Sequence, residues 1–212
     1  MINTNLSNFD LARGFGEHKQ CAIELLGELV AFLDKHNVDY FLISGTLLGY
    51  CRHNDFIPWD DDMDILVSSD FISKINEIDT NKFKIYTMCI KHCYKLSFNN
   101  KVVSHQDGKY YWPFVDIFIY NIHDENMNFF SKNWNINQFF PKNRVLFNGI
   151  MVYVPNNPMH FLEINYGKDC MTKYISPSYN HRNEKSYKHV TAHQKINKQL
   201  IKILNLKKKL AK

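Results

Sequence analysis

Residues 44–67 read SGTLLGYCRHNDFIPWDDDMDILV, and four acids fall within five positions of it: Asp60, Asp61, Asp62 and Asp64. The alternation from Asp62 to Val67 predicts a strand with Asp62 and Asp64 on one face and Met63 and Ile65 on the other. Like charges held this close repel. The arrangement becomes favourable at neutral pH when a cation neutralises it. Two carboxylates on one strand face can share a hard divalent ion. Mg2+, with Mn2+ as its substitute, prefers oxygen ligands and completes its shell with water and substrate phosphate.

Working outward, a third acid stands in FVDIFIY, where Asp116 is the lone charge of an apolar strand spanning Tyr111–Tyr120. An unpaired carboxylate there costs several kcal/mol, so Asp116 needs either a cation or a basic partner. On the amino-terminal side, Gly45-Thr46 lies where the strand Tyr40–Ile43 turns into a helix reaching about Arg52. Gly lets a phosphate approach the backbone, the helix start offers free N–H groups, and Ser44 and Thr46 add hydroxyls. Ser and Thr at such a position also serve simply as caps. Arg52 and His53 end the same helix. Arg suits a phosphate, or else interacts with the helix dipole.

The remaining pattern predicts a mixed α/β domain. A helix covers Cys21–His36 with Asn37 closing it, another follows Ser69, and strands lie between Lys82 and His105 with a turn at Asn99-Asn100. Residues 121–143 are expected to be loop with helical pieces, Val145–Val154 a strand, and Asn157–Tyr166 a helix closed by Gly167. The division expected is an irregular segment at 1–18, a catalytic domain at 19–190, and a basic amphipathic helix at 191–212.

The chain has 212 residues with 26 Lys plus Arg against 21 Asp plus Glu, a net charge of +5. Seven lysines and no acid lie in 195–212, so the rest carries about −2 (5 minus 7). No global field for nucleic acid results. The preferred reading of the tail packs its Ile/Leu stripe on the body and solvates its lysines; the alternative docks it on an anionic membrane surface or RNA. No apolar stretch long enough to span a membrane occurs, and the first residues lack the basic-then-apolar signal pattern. Five cysteines without framework spacing argue for reduced thiols in the cytoplasm. Cys89, His92 and Cys93 lack the second ligand pair a zinc site would want, so an ordinary strand is expected there.

The string from Gly45 to Val67 resembles the signature of the LicD-type phosphotransferases, the group that includes fukutin and fukutin-related protein. FVDIFIY resembles the family's second-strand motif. VYVPNNPMHFLEINYGKDCM resembles its downstream stretch, with Lys168-Asp169-Cys170 where the family has Asp-Trp. The resemblance implies a nucleotidyltransferase fold of the polymerase-β type, a mixed sheet flanked by helices. It also implies transfer of a phospho-alcohol group, such as phosphocholine or a polyol phosphate, from a CDP-linked donor to a sugar hydroxyl of a glycan acceptor. Carried over by position, Gly45 and Thr46 match the phosphate turn, Asp62 and Asp64 the paired metal ligands, and Asp116 the third carboxylate. Arg52 and Arg144 are then expected at the donor, with Lys95 a weaker candidate. The competing readings are a nucleotidyltransferase that releases pyrophosphate and a non-catalytic metal-binding module.

Overall fold

The computed structural model describes residues 14–88, 93–99, 103–104, 110–175, 179–181, 185–186 and 191–193. A 3-10 turn at Gly16–His18 leads into α1 (Lys19–Lys35), which buries Ala22, Leu25, Leu26, Leu29, Val30 and Leu33. These follow the i, i+3, i+4 spacing of one helix face. Asn37 takes a left-handed φ of 53° and turns the chain into β1 (Tyr40–Leu42). Then come α2 (Ser44–His53), β2 (Met63–Ser68), α3 (Asp70–Lys74), β3 (Phe83–Thr87) and β4 (Cys93–Phe98). Two short strands, β5 (Val103–Ser104) and β6 (Tyr111–Trp112), precede the long β7 (Phe114–His123). The meander β8 (Asn126–Phe129) and β9 (Lys132–Asn135) is followed by the hairpin β10 (Asn143–Phe147) and β11 (Ile150–Val154). Helix α4 (Pro158–Tyr166) and strands β12 (Lys173–Ile175), β13 (Tyr179–Asn180), β14 (Lys185–Ser186) and β15 (Thr191–His193) complete the described chain.

The main sheet runs β1-β2-β7-β4-β3, with β8 and β9 continuing from the end of β7. Only β2 and β7 are parallel; the other neighbours are antiparallel. The sheet is therefore mixed, and helices flank it. Its two faces have different covers. Tyr94 sits opposite Ile117 and meets Phe71 of α3 at 6.0 Å, and Phe71 meets Phe32 of α1 at 6.4 Å. Helices α1 and α3 thus cover the Ile117 face. On the other face, Phe41 and Leu66 are register partners, and Phe41 packs on Tyr120, Phe139 and Phe140. Phe129, Trp134, Phe139 and Phe161 extend that aromatic cluster with centroids 5.2–6.2 Å apart. The cluster covers only part of this face. The strip holding Asp64 and Asp116 lies beyond it.

Three expectations change. Residues 121–143 hold two strands rather than a loop: Met127, Phe129 and Trp134 are buried and alternate with Asn126, Asn128, Asn133 and Asn135. The period of 2 is present, carried by asparagines, a residue type that strands ordinarily avoid. Val145–Val154 is a hairpin, because Asn148 and Gly149 take φ of 49° and 84° and reverse the chain between Phe147 and Ile150. The helix expected from 191 does not begin there, since Thr191–His193 pair as a strand with Lys173–Ile175; residues 194–212 lie outside the described residues. So do most of Cys89–Cys93 and half of the turn expected at Asn99-Asn100; Cys93 itself is buried at the start of β4. Among the described residues no helix is long and apolar enough to cross a membrane.

Candidate metal and phosphate site

Register builds the site. Asp64 on β2 stands directly opposite Asp116 on β7, and Asp116 stands directly opposite Lys95 on β4. Register partners share a sheet face, so the three side chains form one row across three strands. Asp62, just before β2, adds a third carboxylate. Ligand oxygens of Asp62, Asp64 and Asp116 all lie within 4.8 Å of one another. Asp116 is 13% exposed and Lys95 3%, with their Nζ···Oδ1 distance 2.6 Å. Both answers to the cost of burying Asp116, a basic partner and a place for a cation, are met at once.

The acids perturb each other. Burial, then Asp62 and its neighbours, push the carboxyls of Asp60 and Asp64 well above the usual range. Burial also raises Asp116, against the opposing pull of Lys95. Clustered, desolvated carboxylates with raised pKa values are what a cation-binding pocket shows without its cation. Carboxylate oxygens alone suit a hard divalent ion such as Mg2+ or Mn2+.

The turn Ser44-Gly45-Thr46 is brought against these acids. Ser44 takes φ of 49°, bending the chain from β1 into α2. The Gly45 N–H donates to the Asp64 carboxylate. A Cβ on Gly45 would stand 2.4 Å from Asp60 Oδ2, so only glycine allows this approach. Thr46, expected to meet a phosphate, is buried instead, and its Oγ1 accepts from the Asp64 N–H at 2.8 Å. It fixes the height of Asp64 relative to the helix start. Asp61 turns away from the row. Its carbonyl accepts from the buried Trp112 Nε1 at 2.6 Å and its carboxylate from the His181 N–H at 3.4 Å.

The two arginines have other tasks. Arg52 Nη1 donates to the carbonyls of Cys170 and Lys173 at 3.2 and 3.1 Å, and its Nε donates to His53 Nε2 at 3.0 Å. Burial and the neighbouring guanidinium push His53 down to about 4, so its neutral ring can accept that bond. Arg52 therefore ties α2 to the segment after α4. Arg144 is not near the acids. It lies 4.0 Å from Asp34 and over Tyr153, which packs on Tyr40. Tyr40 pairs with Val67, five residues and about 16 Å along β2 from Asp62. An arginine in a loosely predicted strand gives no clue to which end of the sheet it will occupy. Arg144→Ala is expected to leave any turnover within about twofold of wild type, checked by initial rates.

Two residues at the site, Tyr166 and His181, were not singled out from sequence, and Lys95 was read only as a weaker candidate for the donor. Lys95 carried a signal of the same kind as Asp116, a lone charge in the strand CYKLSF. Tyr166, just before Gly167, hydrogen-bonds Ser44, and burial followed by Asp64 and Asp60 raises its hydroxyl pKa. His181 Nε2 lies 3.2 Å from Asp62 Oδ2, and its ring meets Phe114 edge-on at 5.5 Å. His181 comes from a polar stretch in which no pattern marks it.

The sequence profile described as LicD/FKTN/FKRP, nucleotidyltransferase domain, matches residues 37–157, which hold β1, the glycine turn and all three acids. The chain belongs to this LicD family. Its relatives include an uncharacterized protein of Rickettsia typhi, 28% identical over 153 residues, covering 68% of this chain and 44% of that protein. A second, from Rickettsia prowazekii, is 26% identical over 152 residues, covering 68% and 53%. The LicD-family chain thus spans about half the length of these curated relatives. A 54-residue stretch, 26% of this chain and 20% of the other, is 37% identical to the lipopolysaccharide cholinephosphotransferase LicD of Haemophilus influenzae. The solved structure of an antigenic nucleotidyltransferase-like protein from Paracoccidioides brasiliensis aligns with a TM-score of 0.43 at 12% identity, covering 68% of this chain and 64% of that one. Membership gives the chain a nucleotidyltransferase domain, and its three acids fall inside that family domain.

Proposed function

We propose that this protein is a Mg2+-dependent phosphotransferase that moves a phospho-alcohol group, phosphocholine or a polyol phosphate, from a CDP-linked donor to a sugar hydroxyl of a glycan. The observation that carries the reading is the convergence of Asp62, Asp64 and Asp116 beside the Ser44–Thr46 turn, within a LicD-family domain. The phosphocholine donor is suggested by the name of the Haemophilus influenzae relative.

Asp62, Asp64 and Asp116 would hold the divalent ion. When bound, it supplies neutralisation of the donor diphosphate and a lower pKa for the attacking hydroxyl. In the transfer, the acceptor oxygen forms a bond to the phosphorus of the phospho-alcohol. The bond from that phosphorus to the CMP oxygen breaks, CMP leaves with the electron pair, and the hydroxyl proton passes to a base. The chain's own part is placement. Gly45 keeps the turn close, Thr46 sets Asp64, and Tyr166 holds Ser44. Phosphoryl transfer depends on such positioning and charge stabilisation rather than on a covalent protein intermediate.

The test is a product assay with CDP-choline, CDP-ribitol and CDP-glycerol, with and without Mg2+ and candidate glycans. Mg2+-dependent CMP release with phosphate incorporated into the glycan is expected. Release of pyrophosphate from nucleoside triphosphates would instead support a nucleotidyltransferase, and absence of turnover together with Mg2+ binding a non-catalytic module.

A pH-dependent stabilisation follows. The carboxyls of Asp60, Asp64 and Asp116 have folded-state pKa values raised above their unfolded values, so the fold retains protons that the unfolded chain has released. Without metal, their stabilising contribution is complete below the unfolded carboxyl range and is lost as pH rises through the raised range. A divalent ion removes that loss. Mg2+ should therefore raise the melting temperature more at about pH 7.5 than at about pH 5. An equal shift at both, measured by differential scanning fluorimetry, would place the ion elsewhere.

A further inference from the structure

We propose that Lys95 is a positioning residue of the acid site, binding one oxygen of Asp116 so that the other is presented to the ion and the donor. The inference rests on the ion-binding reading of the three carboxylates and goes beyond it by assigning a role to a residue outside the ligand set. Its geometry is unusual for a lysine. The side chain is 3% exposed, although long cationic stems normally carry their heads to water. Three groups surround the ammonium. Asp116 Oδ1 lies 2.6 Å from Nζ, the Phe114 ring centroid 3.1 Å, and the Tyr110 centroid 5.0 Å.

Each of those groups is itself fixed. Asp116 is the register partner of both Asp64 and Lys95 on the central strand β7. Phe114 is fully buried, two residues before Asp116 on the same strand face. Tyr110 packs against Phe114 with centroids 5.5 Å apart. The ammonium is thus held on aromatic faces and cannot leave Asp116 without abandoning both. Asp116 in turn has Oδ1 engaged by the ammonium, which leaves Oδ2 as the oxygen better placed for the ion. Lys95 also offsets one of the three ligand charges, and so lowers the pull on the cation while fixing the direction of one ligand.

These two effects have opposite signatures. Loss of the positive charge alone should tighten cation binding. Loss of the hydrogen bond should let the carboxylate rotate and impair turnover. Mn2+ binding to the full chain, followed by electron paramagnetic resonance, reads the first effect without any assumption about the reaction. Lys95→Met is expected to bind Mn2+ at least about tenfold more tightly than wild type while CMP release falls about 100-fold in kcat with little change in KM. Lys95→Gln keeps a donor for Asp116 without the charge. It should match the tighter Mn2+ binding and retain more turnover than Lys95→Met. Lys95→Met/Asp116→Asn, which removes both charges, should melt near wild type and bind Mn2+ more weakly than Lys95→Met.

Unchanged or weakened Mn2+ affinity in both single variants would overturn the role, as would equal turnover of the Met and Gln variants. Should wild type release no CMP, the proposed function fails, and the Mn2+ titrations still decide whether Lys95 acts on the ion site.

Discussion

Asp64→Asn is expected to abolish transfer while leaving the fold intact. The substitution keeps the size of the side chain and the Thr46–Asp64 backbone bond, but removes the charge at the β2 end of the row. An ion that contributes several kcal/mol to stabilising the transferring group should bind and act far more weakly. A loss of about 4 kcal/mol of that stabilisation corresponds to roughly 10³-fold in rate. In metal-free buffer the variant should melt at or above the wild-type temperature, because one of several mutually repelling carboxylates is gone. The pairing of lost turnover with retained stability is what distinguishes a ligand from a structural acid. A large fall in melting temperature without metal would show that Asp64 holds the sheet together instead. Asp116→Asn should lose activity in the same way but cost some stability, since it leaves the buried Lys95 without its anionic partner.

Gly45→Ala is the second large effect. The added methyl would stand 2.4 Å from Asp60 Oδ2 and 4.0 Å from Asp64 Oδ2. The first distance is too short for two unbonded atoms, so either Asp60 rotates or the start of α2 retreats from the acids. Alanine is otherwise well suited to a helix, so the secondary structure should persist. A displacement of about 1 Å at a turn packed against the carboxylates is expected to cost about 10²-fold in turnover. The cause can be isolated with Asp60→Ala. In that background the clash is gone, and adding Gly45→Ala should cost little more, a coupling that a double-mutant cycle measures. If Gly45→Ala proves equally harmful with and without Asp60, the closeness of the turn to that carboxylate is not the reason glycine stands there.

Much of this site was legible in the sequence because its signals are local. Alternation in Asp62–Val67 put two acids on one face, and the isolation of Asp116 among apolar residues required a partner. What the sequence could not supply was register. Nothing in DMDILV or FVDIFIY says that Asp64 and Asp116 are opposite each other, or that Lys95 completes the row from a third strand. The arginines show the same limit. Arg52 was placed near its turn by chain proximity, yet its donors go to carbonyls over 110 residues away. Arg144 was attached to the donor with no local constraint, and the sheet carries it to the other end. In the fold, the long helix α1 was plain from its period. The β8–β9 meander was obscured because asparagines occupy the exposed positions that β-branched residues more often fill.

The hydroxyl of Thr46 joins the start of α2 to the first turn-facing amide of β2. On the proposed function, a nucleotide that pulls on the helix start would pull on Asp64, and a cation that draws Asp64 inward would move the same turn. Linkage makes that relation symmetrical: whatever factor Mn2+ adds to the affinity for CMP, CMP must add to the affinity for Mn2+. Thr46→Val, isosteric but without the acceptor, should weaken that coupling, leaving only the Gly45 N–H bond to Asp64 to carry it.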